Sequence, residues 1–283
     1  MSERSVLIKK SDGSEEPFKA FKLEKSLRLA GASEIVTRDI IESISSKLTD
    51  GTTTRKIYTS AFSMLRRKEH TPVAARYSLK KAVFDLGPSG FPFENFIAEI
   101  YRTKGYNVSV DVVLRGKCAE HEVDLIAHSP HKSFGAEIKF HNHQGIKTDL
   151  KIALYVHARF NDLVGAERSS ANVWIQEGVL ITNTKFTTHA IAYGECVGLS
   201  MIGWEYPEKG NLHMLIGETG LHPITCLTTL SSVDKKRLLE NKIVLCRSFK
   251  GNAHMLERYG IPRRKIPDIV EEADALCQPV TRV

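Results

Sequence analysis

At Leu86-Gly-Pro-Ser-Gly90 the apolar residues of this 283-residue chain change their period. Upstream they recur at helical spacing, as Leu23, Leu27 and Ala30, then Ile40, Ile44 and Leu48, then Ile57, Ala61 and Leu65, then Val73, Tyr77 and Phe84. A β-hairpin precedes them, with Val6-Leu7-Ile8 and Glu15-Glu16-Pro17-Phe18 flanking a turn at Asp12-Gly13. Two glycines and a proline within five residues stop a helix, so residues 1–86 are expected to form a unit of their own.

Downstream, Phe93, Phe96, Ile97, Ile100 and Tyr101 mark one more helix, ending at Gly105. Strand-like runs then take over at 106–114, 121–127 and 135–140. A helix is expected from about Thr148 to Asn161, then a strand at 178–182, a helix after Thr187 and a strand at 199–204. That order predicts a mixed α/β sheet with helices on both faces over residues 87–229. Residues 230–283 read as a small helical segment, with Ser232 as a candidate cap and a last helix ending near Cys277.

Composition narrows the class. With 42% hydrophobic and 26% charged residues, the chain is neither disordered nor a disulfide-stapled miniature. No apolar run approaches the roughly 18 residues of a membrane helix, and the first ten residues lack a signal-peptide stretch, so a cytoplasmic protein without membrane partners is expected. The five cysteines are never closer than 20 positions, which supports neither a disulfide framework nor a CxxC zinc site.

The net charge of +7 is uneven: residues 1–86 hold 17 basic against 11 acidic residues, 87–230 hold 12 against 15, and 231–283 hold 11 against 7. Basic flanks around an acidic middle suit a metal-dependent enzyme acting on a polyanion, and equally suit a protein kept soluble by its charge.

The first segment resembles the ATP-cone, the nucleotide-sensing module of ribonucleotide reductases and of their transcriptional repressor. The pattern lies in Val6-Leu-Ile-Lys-Lys-Ser-Asp-Gly13, Phe18, Lys22-Leu23, Ser26-Leu27, Asp50-Gly-Thr-Thr-Thr-Arg-Lys-Ile-Tyr58 and Ala74-Ala-Arg-Tyr77. The resemblance implies phosphate contacts at Lys9, Lys10 and Lys22, nucleotide contacts at Glu16 and Thr54, and ATP or dATP as a regulatory ligand. No Walker A string occurs, so nucleotide hydrolysis is not expected.

In the middle segment, Asp124 is followed after twelve residues by Glu137-Ile138-Lys139. Side chains alternate along a strand, so Glu137 and Lys139 share one face while Ile138 packs on the other, and Asp124 can end an adjacent strand beside them. Two carboxylates with one amine can hold Mg2+ or Mn2+ and assist hydrolysis of a phosphodiester. Together with Glu94 on the preceding helix, this pattern resembles the PD-(D/E)xK nucleases, and Phe91 to Trp204 is similar to their Mrr-type restriction branch. The resemblance implies Asp124 and Glu137 as metal ligands, Lys139 as catalytic and Glu94 as an auxiliary carboxylate. Many Mrr-type members carry Gln in place of Glu137.

Other motifs are less decisive. His141-Asn142-His143 is not an HNH nuclease motif, which is spread over a ββα unit, but it follows the Glu137 strand and either touches a phosphate or forms a solvated turn. Thr182-Asn-Thr-Lys185-Phe-Thr187 caps a helix and offers free amides. Trp174 and Trp204 are expected in the core. Tyr259-Gly-Ile-Pro-Arg263-Arg264-Lys265 faintly resembles a helix-hairpin-helix, which adds DNA-backbone cations to His141, Asn142 and Lys185.

The expectation is a restriction or defence endonuclease cutting double-stranded DNA, regulated by ATP or dATP through its assembly as a homo-oligomer. Two alternatives stay open: a nucleotide-responsive DNA-binding regulator with an inactive nuclease fold, and a repair or junction nuclease.

Overall fold

The computed structural model describes residues 6–69, 71–164, 166 and 175–278, and Trp174 lies outside them. The hairpin forms as expected: β1 (Leu7–Lys9) and β2 (Glu15–Pro17) are antiparallel, with Gly13 at φ +83° in the turn. A short third strand joins them. β3 (Thr52–Thr53) runs parallel to β1 and leads directly into a helix. Around this sheet pack α1 (Ala20–Leu29), α2 (Glu34–Ser45), α3 (Thr54–Lys68) and α4 (Thr71–Tyr77), followed by α5 (Leu79–Phe84). Ile8, Leu23, Leu27, Ile40, Ile57 and Leu65 make their core, the residues whose helical spacing stood out in the sequence.

After α6 (Phe91–Thr103) come β4 (Asn107–Arg115), β5 (Glu120–His128) and β6 (Ser133–Lys139). Next are β7 (Lys147–Thr148), α7 (Leu150–Leu163), β8 (Glu177–Thr182), β9 (Lys185–Phe186), α8 (Thr188–Val197) and β10 (Ser200–Ile202). The main sheet has the order β10-β8-β6-β5-β4, antiparallel from β4 to β6 and parallel from β6 to β10. β7 and β9 form a separate parallel pair. α7 begins at Leu150, two residues later than expected, because Thr148 belongs to β7 and Asp149 caps the helix by accepting from the Ile152 amide at 3.2 Å.

One sheet face is covered by α7 and α8, through Val156, Phe160 and Ala190, and the other by α6, through Phe93, Phe96 and Ile100. The α7 approach is close. A Cβ at Gly178 would stand 2.2 Å from the Phe160 ring and one at Gly135 2.6 Å from it, so both strands need glycine beneath this helix. The architecture is the mixed α/β sheet that the strand and helix order predicted.

The remaining elements are α9 (Leu212–Thr219), α10 (Ser232–Glu240), α11 (Met255–Arg258) and α12 (Ile266–Cys277), linked by 3-10 turns at Ile224–Cys226, Cys246–Phe249 and Arg263–Lys265. Ser231, not Ser232, caps α10, in a capping box with Asp234. α11 is a single turn, too short for the first helix of a helix-hairpin-helix, and Arg263 donates to Glu257 at 2.8 Å.

The apolar core does not break at 86/87 or at 229/230. Leu79, Val83 and Leu86 share one core with Phe96, Leu238, Phe249 and Leu276. Polar contacts reinforce the joint: the Thr225 hydroxyl donates to the Ala82 carbonyl at 2.6 Å, and Arg76 to the Ala275 carbonyl at 3.1 Å. Buried Glu272 on α12 accepts from the amides of Thr228 and Thr229, which satisfies its charge without a cation. Among the described residues no helix is long and apolar enough to cross a membrane.

Candidate functional site

β5 and β6 pair from His128↔Ser133 to Leu125↔Ala136, and continuing that register one step sets Asp124 across from Glu137. Asp124 closes the ladder with its side chain, accepting from the Ile138 amide at 2.6 Å. Ile138 enters the core on the α6 side, so strand alternation turns Glu137 and Lys139 toward α7, with Lys139 Nζ 3.7 Å from Glu137 Oε1. The α6 carboxylate joins them electrostatically. Glu94 is raised from its ordinary 4.5 to about 7, first by burial and then by the charges of Asp124, Asp111, Glu137 and Glu122. Burial also raises Asp124, against the pull of the Ile138 amide, and Glu137, against Arg159 and Lys139.

Two members of this site are not expected from the sequence reading. Arg159 on α7 forms an ion pair with the buried Glu137 and donates to the Glu122 carbonyl at 2.9 Å, while its Nε is buried with no hydrogen-bond partner. Its position three residues after Val156, beside Phe160 on the buried stripe, was the available signal. Asp111 takes φ +53° in the middle of β4, where the ladder skips it between Val110↔Leu125 and Val112↔Val123, so it lies across from Asp124. An aspartate inside a run of β-branched residues was its signal. Among the described residues no group of three or more His, Cys, Asp or Glu is placed to hold a metal ion as it stands.

The strand end is tied down. The Asn183 amide donates to the His141 carbonyl at 2.8 Å and its oxygen accepts from the His141 amide at 2.9 Å. The Thr182 hydroxyl donates to the Lys139 carbonyl at 2.8 Å, the Thr148 hydroxyl donates to Thr182 at 3.1 Å, and the His141 ring is 3.0 Å from Thr148. His141 is thereby a bracing side chain. Trp204 is buried, as expected, with Lys80 5.7 Å from its ring centre.

The lysines of the N-terminal unit form a second site. Glu16 accepts from Lys22 at 2.9 Å and pairs with Lys10 at 2.9 Å, which lowers its pKa, and the Thr53 hydroxyl caps α3 beside Thr54. Lys9, Lys10 and Thr54 line a cavity of about 910 Å³, and Lys10, Glu16, Lys22 and Thr54 line a neighbouring one of about 530 Å³. Both volumes lie within the roughly 300–1,000 Å³ usual for small-molecule sites. The tightly stacked rings of Tyr58 and Tyr77, 5.4 Å apart, border the larger. Asn142 lines the same cavity, while Lys185 lines the smaller one and pairs with Glu205 at 2.8 Å. Both side chains therefore sit beside the lysine site. Arg263, Arg264 and Lys265 are exposed.

Residues 6–82 match the ATP cone domain, and residues 222–277 match the C-terminal domain of AF1548-like proteins. A protein described as uncharacterized, from Archaeoglobus fulgidus, is 33% identical over 181 residues, covering 62% of this chain and 97% of its own length. The chain belongs to the AF1548-like family. The crystal structure of AF1548, a protein of unknown function, is similar at a TM-score of 0.53 with 29% identity, over 67% of this chain and 98% of that one. The ATP cone match spans Lys9, Lys10, Glu16, Lys22 and Thr54, the positions where nucleotide contacts are expected, and supports regulatory binding of ATP or dATP. The C-terminal match begins at His222, upstream of the expected boundary, which agrees with a core shared across it.

Proposed function

We propose that this AF1548-like protein is a divalent-metal-dependent endodeoxyribonuclease that hydrolyses phosphodiester bonds of double-stranded DNA, under control of ATP or dATP bound by its cone. The observation that carries the reading is the placing of Asp124 in β5 across from Glu137 near the end of β6, with Lys139 3.7 Å from Glu137 and with the charges of Asp124 and Glu137 felt by Glu94 on α6, which burial first and that repulsion second raise to about 7. An all-oxygen donor set of this kind suits Mg2+ or Mn2+, and a dication would relieve that repulsion. Asp124 and Glu137 would hold the ion with Glu94 in support, and the ion supplies Lewis-acid charge when bound. Lys139 is 40% exposed, so its ammonium can orient the attacking water and offset charge growing on the phosphoryl oxygens. Arg159 must release Glu137 for that carboxylate to gain a free oxygen, which makes their ion pair the resting state.

The resemblance to Mrr-type enzymes favours a restriction or defence role over repair, and cutting both strands favours a homo-oligomer that presents two sites. The same Arg159–Glu137 pair favours a second reading, a nucleotide-responsive DNA-binding regulator that does not cut. Incubating supercoiled, linear and branched DNA with Mg2+ or Mn2+, with and without ATP and dATP, separates the two. Cleavage is expected for the wild type and is expected to vanish in Asp124→Ala and Lys139→Ala with the fold and DNA binding kept, Asp124→Ala melting somewhat lower because the Ile138 amide loses its acceptor. Cleavage that persists in either variant removes the site assignment, and binding without cleavage leaves the regulator.

The exposed turn Arg263–Lys265 is the proposed site of binding to the DNA backbone. Replacing Arg263, Arg264 and Lys265 by alanine should flatten the slope of log affinity against log salt by about 0.9 for each phosphate that is no longer neutralised. An unchanged slope assigns the turn to solubility. Deleting residues 230–283 is no substitute, because Leu238, Phe249 and Leu276 belong to the shared core.

A further inference from the structure

The larger cavity beside the ATP cone has a second wall that the cone does not supply. Opposite Lys9, Lys10 and Thr54 stand Asn142, His143 and Gln144, from the exposed loop that joins β6 to β7. The smaller cavity shares Lys10, Thr54 and Gln144 with it and adds Gly145 to Lys147 of the same loop. Loop and cone come into close contact at Gly145. A Cβ at Gly145, whose φ is +96°, would stand 3.0 Å from the Asp12 amide nitrogen and 3.1 Å from the Ser11 carbonyl carbon, so the β1–β2 turn rests directly on this glycine.

The loop leaves the strand bearing Glu137 and Lys139 and is braced at both ends by residues at the end of β8. At its start, Asn183 holds the His141 backbone by two hydrogen bonds. At its end, Thr148 bonds Thr182, which in turn bonds the Lys139 carbonyl. A ligand that reshapes residues 142–147 therefore acts on groups joined to Lys139 by hydrogen bonds.

We propose that the nucleotide site is two-walled. The cone lysines and the α3 N-terminus take the triphosphate, the 142–147 loop takes the nucleoside end through Asn142 and Gln144, and occupancy is passed to the carboxylate site within one chain. This differs from control through assembly alone, and it rests on the cone binding ATP or dATP. The loop's amides are neutral donors and acceptors suited to sugar hydroxyls and base edges. The Tyr58–Tyr77 stack borders the same cavity and gives the base an apolar surface.

Titration calorimetry on the full chain with ATP and with dATP tests the proposal, comparing wild type, Lys10→Ala/Lys22→Ala and Asn142→Ala/Gln144→Ala. The second pair lies in an exposed loop, and Gly145→Ala, which pushes against Ser11 and Asp12, serves as an independent variant. Loss of two hydrogen bonds should weaken binding on the order of tenfold or more in Asn142→Ala/Gln144→Ala. Hydrogen exchange over residues 140–148 should slow when ATP is added to the wild type. Wild-type affinity in both loop variants, or exchange at 140–148 indifferent to nucleotide, overturns the two-walled site while leaving the cone intact. Failure of the wild type to bind either nucleotide is a different result, because it overturns the cone reading beneath the proposal.

Discussion

Glu16 in the cone and Glu137 in the sheet are both carboxylates held between two cations, yet they shift in opposite directions. Glu16 lies between Lys10 and Lys22 with its side chain 24% exposed and the lysines more so, and the nearby ammonium groups lower its pKa. Glu137 lies between Arg159 and Lys139 at 7% exposure, and burial raises its pKa in spite of both partners. Solvent decides the sign. In the open clamp water still shares the charge, so the pair is weak and can be exchanged for a phosphate; in the closed one the cost of desolvation leaves a charge that must remain matched. A site that trades ligands and a site that keeps a resting state can thus be built from the same residue types at different depths.

The largest effect should come from breaking the closed clamp. Arg159→Met leaves the buried Glu137 with only the partly exposed Lys139, 3.7 Å away, and is expected to destabilise the protein by about 3–5 kcal/mol at pH 8. Because burial raises the Glu137 pKa, the cost should shrink at acid pH as Glu137 takes up a proton, and Arg159→Met/Glu137→Gln should recover much of it. Urea unfolding at pH 8 and at acid pH measures this. A loss below about 1 kcal/mol would place the pair with surface ion pairs and erase the contrast with Glu16.

An intermediate effect belongs to Glu94. Its carboxyl is raised from 4.5 to about 7, so between those values the unfolded chain gives up a proton that the folded chain retains, and stability falls as pH rises through that window. Glu94→Gln should match the wild type below pH 4.5 and melt at a higher temperature above pH 7. Mg2+ or Mn2+ should raise the wild-type melting temperature above pH 7 more than that of the variant. Parallel melting curves for both proteins across pH 4.5–8 would show that neither burial nor its acidic neighbours raise Glu94 in the folded chain.

Much of this contrast is legible in the sequence. Strand alternation alone puts Glu137 and Lys139 on one face with Ile138 on the other, and the glycine-proline break separates the cone helices from the sheet. Features set by long-range packing are not legible. Leu86 sits in a segment with the composition of a linker and is fully buried, because the C-terminal helices close over it. β3 and β7 are two residues long, too short to show a period, and they exist because a neighbouring strand pairs with them. Asn142 and Lys185 carry the polar chemistry expected of DNA contacts, but the placement of the cone against the sheet decides what they face.

The smallest effect is expected at Glu16, and it runs opposite to that of Glu94. The lowered pKa of Glu16, due first to its hydrogen bond from Lys22 and then to that from Lys10, means that the pair contributes stability above the ordinary carboxylate value and loses it as pH falls through the lowered one. Glu16→Gln should therefore coincide with the wild type at acid pH and fall below it at neutral pH, by less than about 1 kcal/mol because both lysines are solvated. Added salt should close even that gap, since exposed charges are screened over about 8 Å at physiological ionic strength, while it should leave the cost of Arg159→Met nearly unchanged. Salt titration of both variants by urea unfolding reads the difference directly. Equal salt sensitivity at the two positions would mean that depth does not distinguish the clamps, and the lysine site would then be as fixed as the carboxylate site.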